Sequence, residues 1–491
     1  MEYILVIDQG TTSTRAILFN KKGEIVSMSQ REIANYFPNA AWVEQDPLEI
    51  YVSALDVINE LIIKTNVKAT QIDSIGITNQ RETTIVWDKN TGLPVYNAIV
   101  WQSKQTQDIC QKVKPYEKII SDKTGLIVNP YFSASKIRFI LDHIENGQKR
   151  AENGELLCGT VDTWLLYKLT GGKEFKTDYS NASRTLLYNI HDLCWDKELC
   201  DIFKIPMKIL PEVCDTSGIF GYTNVIDHVN NVPIASLCGD QQASLFGQNC
   251  FEKGDIKNTY GTGCFMLMNT KDEIIHSKYG LLSTIAWGIN GKVEYALEGS
   301  VLIGGASVQW LRDQLKMIKK ASETEDISYH IKNNEDIYVV PAFVGLGTPY
   351  WDNNVRGAIF GLTRGTTDEN IVKATLESIA YQSKDVIEVM KKDVHLRIKT
   401  LRVDGGATAN HYLMQFQSDI LNVNIKQPSV SETTALGAFY LAGLATGFYQ
   451  NIDEIKKIHH YTNSYEPKMD YKTRTEKYKK WKKAVNAARK F

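Results

Sequence analysis

The sequence predicts an α/β protein built from two related halves, and three observations carry that prediction. Apolar strand runs alternate with helical patterns along the chain. A polar glycine hairpin rich in hydroxyls lies near the start, at residues 8–15 (D-Q-G-T-T-S-T-R), and a second lies in the middle, at residues 260–264 (Y-G-T-G-C). A third glycine turn, residues 404–410 (D-G-G-A-T-A-N), follows a strand and precedes a helix in the second half. The composition of the 491 residues, 43% hydrophobic and 23% charged, is that of a globular protein. A net charge of −1, from 56 basic and 57 acidic residues, argues against a surface built for nucleic acid or an anionic membrane. No apolar run reaches membrane-spanning length, and the N-terminus lacks the basic region and cleavage site of a signal peptide. Eight cysteines without a C-x-x-C pair read as reduced thiols, so a cytoplasmic protein is expected.

Taken in order, Tyr3 to Ile7 and Arg15 to Phe19 are β-branched apolar runs around the bend at Gly10, which is hairpin patterning. Asp46-Pro47 opens a helix, with Asp46 as cap and Pro47 in the first turn. Leu48, Tyr51, Val52, Leu55, Ile58 and Ile62 are expected on its buried face. Ile72 to Ile77 and Thr83 to Trp87 are strands around the polar corner N-Q-R-E at 79–82. Thr259 to Met268 repeats the hairpin, Val293 to Leu297 is a strand, and Leu302 to Leu315 reads as a helix. Asp368 is expected to cap a long helix carrying Ile371, Val372, Leu376, Ile379 and Ala380. Leu401 to Val403 leads into the third glycine turn and a helix from His411 to Leu421. The stretches 224–231 and 249–254 are the candidate boundaries between halves. From Lys468 onward ten basic residues face two acids, with Trp481, Ala484, Val485 and Ala488 on one side. This is read as a docked terminal helix with a solvated basic face rather than an anion-binding tail.

A phosphate needs many short donors converging on it. The first hairpin supplies backbone N–H groups, the hydroxyls of Thr11, Thr12 and Ser13, and the Arg15 guanidinium. Asp8 ends the strand before the turn, where a carboxylate could hold Mg²⁺ directly or through water. Thr262 offers the same chemistry from the second half, and Gly406 and Asn410 allow a ring or phosphate to approach the backbone there. Together the three turns describe a nucleotide held in a cleft between related halves. There is no P-loop, no G-x-G-x-x-G after a strand and no protein-kinase signature. His459-His460 lacks partners at metal-ligand spacing.

The runs D-Q-G-T-T-S, I-T-N-Q-R-E-T, V-W-Q, P-Y-F-S-A-S-K, G-D-Q-Q-A-S-L-F-G, N-T-Y-G-T-G-C-F-M, L-E-G-S-V, G-A-S-V-Q-W-L-R-D and D-G-G-A-T-A-N occur in one order from Ile4 to about Gly447. In this order they resemble the FGGY carbohydrate kinases, which share the actin–Hsp70–hexokinase (ribonuclease H-like) ATPase fold. N-Q-R-E with G-D-Q-Q points to the glycerol branch of that family. The resemblance implies two related domains, 1–248 and 249–491, with ATP in the cleft between them. It places Thr11, Thr12, Ser13 and Arg15 near the phosphates, with Thr262, Gly305, Gln309, Gly406 and Asn410 lining the rest of the nucleotide site. Arg81, Glu82, Trp101, Tyr131, Asp240, Gln241 and Phe265 would form the glycerol pocket, with Thr11 beside it. Asp240 is the expected base, and Asp8 and Asp240 are the expected contacts to Mg²⁺. Relatives suggest a homodimer or homotetramer. Alone, each aromatic would read as core and Arg81–Glu82 as a surface pair; their place in the ordered set reverses that. Of two alternatives, a kinase of the same family acting on another sugar is argued against by N-Q-R-E and G-D-Q-Q, and an ATPase of the same fold that binds a protein partner by the presence of Arg81, Glu82, Asp240 and Phe265.

Overall fold

Strand pairing, more than helix packing, organises the molecule. The computed structural model describes residues 2–331, 336–352 and 354–491. At its centre is a 13-stranded mixed sheet. In the first half β1 (Tyr3–Gln9), β2 (Ser13–Asn20) and β3 (Ile25–Glu32) form an antiparallel meander. Helix α1 (Pro47–Thr65) then returns the chain, so β4 (Ile72–Asn79) lies parallel to β1. Helix α2 (Ser133–His143) belongs to a long excursion before β5 (Ser217–Tyr222) and β6 (Pro233–Gly239). Strand β6 runs parallel to β4, and β5 closes this part antiparallel to β6. Helix α3 (Asp240–Gly247) follows β6 without a break.

The second half repeats the plan. Strands β7 (Ile256–Tyr260) and β8 (Cys264–Lys271) form a hairpin, followed by β9 (Leu282–Ile289) and β10 (Lys292–Val301). Helices α4 (Gly305–Asp313) and α5 (Asp368–Val394) lead to β11 (Thr400–Asp404), α6 (His411–Leu421) and β12 (Asn424–Pro428). Helix α7 (Thr433–Thr446), β13 (Tyr461–Tyr465) and α8 (Tyr471–Ala488) complete the chain. The orders β3-β2-β1-β4-β6-β5 and β10-β8-β7-β11-β12-β13 have the same sense at every pairing step. The two glycine hairpins therefore occupy equivalent places in the two repeats. Strand β9 joins the repeats, antiparallel to β10 and meeting β5 at the pair Ser217↔Ile289.

Two local expectations are corrected. Helix α1 buries Ile50, Ala54, Val57, Ile58, Leu61 and Ile62, whereas Leu48 and Val52 stay 36% and 49% exposed. The buried stripe is the one holding Ser53 and Ala54. These small side chains let the helix sit close to the sheet, where Ser53 Oγ meets Thr14 Oγ1 at 2.8 Å. Helix α5 is capped by Thr367, not Asp368. Thr367 has the extended backbone a cap requires, and its N–H donates to Asn370 Oδ1 at 2.9 Å. The terminal helix docks as expected, with Trp481, Ala484, Val485 and Ala488 buried. Asp385 of α5 accepts from Tyr478 Oη, Trp481 Nε1 and Tyr350 Oη at 2.6–2.9 Å, which fixes α8 in place.

Helix α7 belongs to the second half by sequence but covers the sheet of the first. Ser236 Oγ and Ser217 Oγ donate to the carbonyls of Ala438 and Leu441. It crosses α3 where two glycines meet. A Cβ on Gly437 would lie 1.8 Å from the Ala243 carbonyl oxygen, and one on Gly247 would lie 2.1 Å from the Thr433 carbonyl oxygen. Neither fits unless the helix backbones separate. Gly437→Ala is expected to destabilise the protein by about 3 kcal/mol or more, the overpacking range for a close backbone contact. Denaturant unfolding of the two proteins measures this, and equal midpoints would count against the packing described.

Candidate active site

The first hairpin presents its tip to the cleft. Gly10 N donates to Ser13 O at 2.9 Å and tightens the turn. Thr11 Oγ1 accepts from Trp101 Nε1 at 2.9 Å, and Thr11 O accepts from Gln45 Nε2 at 2.7 Å. Thr12 is exposed and Ser13 is buried. Arg15, expected as a donor to phosphate, pairs with Glu432 from the turn before α7 at 2.5 Å. Burial pushes the Asp8 carboxyl up to about 7. Arg15 opposes that rise, while the negative charges of Glu432 and Asp240 add to it.

The polar corner after β4 is buried, with Arg81 and Glu82 only 2% and 1% exposed. Glu82 holds a left-handed backbone, φ 62°. Its carbonyl oxygen accepts from Lys136 Nζ at 3.0 Å, Thr84 Oγ1 at 2.9 Å and Ser133 Oγ at 3.2 Å. Lys136, on α2, also donates to Tyr131 O at 2.5 Å, and burial pushes its ammonium down to about 7. One lysine thus straps together the backbones that carry two expected pocket residues.

Arg81 is the hub. Its Nη1 donates to Glu298 Oε2 at 2.6 Å and Gln242 Oε1 at 3.2 Å, and its Nη2 reaches Tyr131 Oη at 3.4 Å. Its Nε lies 3.3 Å from Asp240 Oδ1. Asp240 opens α3 at the end of β6 and accepts from Gln241 N at 2.8 Å and Gln241 Nε2 at 3.2 Å. Trp101 meets Tyr131 and Phe265 edge-on, with ring centroids 5.6 and 6.1 Å apart. All seven residues expected to hold glycerol are thus joined by direct contacts, and Trp101 connects them to Thr11.

Thr262, Gly305, Gln309, Gly406 and Asn410 line one cavity of about 460 Å³ in the second half. Asn410 caps α6 through Leu413 N at 2.8 Å and donates to Thr324 Oγ1 at 3.0 Å. Lys257 of β7 reaches Gln241 Oε1 at 2.6 Å and links this half to the start of α3. Sequence reasoning missed Lys136, Arg184, Lys257, Glu298 and Glu432 as members of the site. A signal existed for some of them: Lys257 and Glu298 are charges within strand runs, I-K-N-T-Y and K-V-E-Y-A-L-E-G-S-V, and a charge buried in a strand needs partners.

The same arrangement has relatives among known proteins. The FGGY family of carbohydrate kinases matches through its N-terminal domain at residues 3–247 and its C-terminal domain at residues 256–446. The chain belongs to that family. A glycerol kinase of Bacillus licheniformis is 58% identical over 100% of this chain and 99% of its own, and one of Bacillus cereus is 57% identical over the same shares. A crystal structure of Plasmodium falciparum glycerol kinase with ADP superposes with a TM-score of 0.93 at 37% identity, covering 99% of this chain and 98% of that one. A xylulose kinase from Lactobacillus acidophilus, at 23% identity and a TM-score of 0.87, shares the fold. This is the two-domain α/β fold of the sugar kinases, related to actin, Hsp70 and hexokinase.

Burial works to raise the Glu298 carboxyl, but the Arg184 and Arg81 guanidiniums overcome it and pull it down to about 2. A depressed carboxyl stabilises the fold fully above its unfolded value of 4.5, and that contribution is lost as pH falls toward about 2. The stability gap between the parent protein and Glu298→Gln should therefore narrow by about 3 kcal/mol between pH 7 and pH 2, at about 1.4 kcal/mol for each tenfold difference in proton affinity. Urea unfolding of both proteins across that range checks this; a gap independent of pH would contradict it.

Proposed function

We propose that the protein transfers the terminal phosphoryl group of ATP to glycerol, giving sn-glycerol 3-phosphate and ADP. The observation that carries this reading is the unbroken series of contacts from Asp240 and Arg81 through Tyr131 and Trp101 to Thr11. A small pocket of paired polar groups opens directly onto a phosphate loop. The full-length identity to glycerol kinases supports the same substrate. Residues 1–248 would carry the alcohol pocket and the first loop, and 249–491 the nucleotide cavity. Eight free cysteines suit a reducing cytoplasm. Family resemblance suggests a homodimer or homotetramer, which sedimentation would decide.

Glycerol is an uncharged triol. Glu82 and Asp240 accept from its hydroxyls, Arg81, Tyr131 and Gln241 donate, and Trp101 and Phe265 cover its C–H edge. In the transfer, the attacking hydroxyl oxygen bonds to the γ-phosphorus and its proton passes to an Asp240 carboxylate oxygen. The bond to the β–γ bridging oxygen breaks, and ADP leaves. Gln241 holds the Asp240 carboxylate by two N–H groups, so the acceptor is aimed before the substrate arrives. Asp8 and Asp240 would hold Mg²⁺. The donor set fits such an ion: both are carboxylates, and although burial is the main cause of the raised Asp8 carboxyl, Glu432 and Asp240 add like charge that a divalent cation would relieve. When bound, the ion neutralises charge on the phosphates.

Two measurements test the reading. Purified protein should form sn-glycerol 3-phosphate only with ATP, Mg²⁺ and glycerol together; no product from folded protein would refute it. Asp240→Asn should lower kcat by about a hundredfold or more, the scale of one acid–base group, with a smaller change in glycerol binding. Glu82→Gln should act chiefly on apparent affinity. A near-normal kcat in Asp240→Asn would reduce that residue to a binding group and turn attention to Asp8.

A further inference from the structure

Beneath the pocket lies a set of charges that none of the roles above uses in full. Glu298 sits mid-strand in β10, opposite Leu267 of β8 and Leu282 of β9, and is fully buried. Its Oε2 accepts from Arg81 Nη1 at 2.6 Å, and its Oε1 accepts from Arg184 Nη2 at 2.8 Å. Arg184, also fully buried, turns its Nε to Glu82 Oε1 at 2.6 Å. Its guanidinium carbon lies 5.2 Å from the Phe132 ring centroid and 5.7 Å from that of Tyr131. Two arginines and two glutamates thus close a chain, Arg81–Glu298–Arg184–Glu82, with no net charge. Arg81 and Glu82 face the pocket. Glu298 and Arg184 stand behind them.

The chain dictates which atoms remain for a ligand. Glu298 and Gln242 occupy Arg81 Nη1, leaving the Nε and Nη2 edge toward Asp240 and Tyr131. Arg184 occupies Glu82 Oε1, leaving Oε2 as the carboxylate oxygen for a hydroxyl. A guanidinium is a rigid fork, so fixing one edge fixes the other. A site that pairs each substrate hydroxyl discriminates by the cost of leaving its own groups unpaired. That cost is high only while those groups cannot turn to other partners.

We infer that Glu298 and Arg184 are positioning residues that set the hydroxyl selectivity of the pocket without touching the substrate. Glu298 does so from the second half of the chain. Strand β10 pairs with β8, which carries Phe265, so the same strand pair supplies one wall of the pocket and the carboxylate that holds its arginine. The alcohol site is a joint product of both repeats.

This inference rests on the proposed reaction, and the test separates the two. The parent protein is assayed with glycerol, propane-1,2-diol and propane-1,3-diol, each diol lacking one hydroxyl, at saturating ATP and Mg²⁺. Turnover of glycerol by the parent tests the reaction itself. The ratio of kcat/KM for glycerol to that for each diol tests the inference. In Glu298→Gln the ratio should fall at least tenfold for one or both diols, because Arg81 is no longer held, while the KM for ATP changes by less than threefold. Arg184→Lys, which keeps the charge but not the fork, should lower the ratio in the same direction. A uniform fall on all three alcohols, or an unchanged ratio, would overturn the inference and leave the two residues as structural. If Glu298→Gln does not fold, Glu298→Asp retracts the carboxylate by one methylene and is read on the same ratio, with the same outcomes deciding. If the parent turns over no alcohol, the reaction fails. The inference is then read by calorimetry with glycerol itself, and is overturned if the parent and Arg184→Lys bind it equally or neither binds it.

Discussion

Everything around the pocket depends on how the protein buries charge. Arg81, Glu82, Arg184 and Glu298 are each 2% exposed or less. An isolated ion at such depth costs several kcal/mol even after relaxation, and removing one partner of a buried pair costs about 3–5 kcal/mol. The four are tolerable only as a closed set with alternating sign and hydrogen bonds of 2.6–2.8 Å at its strongest links. That requirement constrains the backbone. Glu82 must hold a left-handed conformation to turn its side chain into the set, and Lys136, Ser133 and Thr84 hold its carbonyl there. The site is accordingly built before any ligand arrives.

The repeat supplies the frame for this. A glycine hairpin occurs at the same step of each half, so the two hydroxyl-bearing tips hold equivalent places in the two repeats. The repeats are also sewn together. Helix α7 lies on the first sheet, its glycine contact with α3 sets the height from which Asp240 starts, and Glu432 just before α7 holds Arg15. Lys257 joins β7 to Gln241 beside Asp240. The start of α3 is thus held from both halves at once, and in the proposed reaction its Asp240 meets an alcohol from one side and a phosphoryl group from the other.

Much of this was legible in the sequence. Strands β1, β2, β4, β8 and β11 follow their apolar runs, because a strand buried on both faces shows itself by composition alone, and β7 was marked only by the glycine turn that follows it. The helix after the third glycine turn and the docked terminal helix also came through, each marked by a clean apolar side. The buried face of α1 did not. Its pattern admits two stripes, and the choice turns on how closely Ser53 and Ala54 let the helix approach the sheet, which is a tertiary fact. The residues expected to line the pocket came from ordered motifs, and the structure joins them by contact. Arg184 and Glu298 lay beyond that reasoning, since their partners stand 102 and 217 residues away in sequence. Only the sheet brings them together. Arg15 illustrates the converse: its motif placed it near phosphate, but its charge partner comes from a turn 417 residues later.

The pattern of exposure around the pocket carries a chemical consequence. Arg81 and Glu82 are sealed from solvent, while the Asp240 side chain beside them is 31% exposed. The more exposed side of this group is therefore that of Asp240, the proton acceptor in the proposed reaction, and Trp101 links the group to Thr11 of the first hairpin. In the proposed reaction the phosphoryl group would arrive from this same, more exposed side. An alcohol seated on Arg81 and Glu82 would occupy the position from which a water molecule would otherwise attack. In the proposed reaction, a pocket sealed behind the alcohol favours transfer to alcohol over hydrolysis, because the seated alcohol displaces the competing nucleophile. Holding the Arg81 and Glu82 side chains rigidly from behind is what the buried charge set makes possible. A floor in which Arg81 and Glu82 lacked these partners would draw in water and lose that distinction.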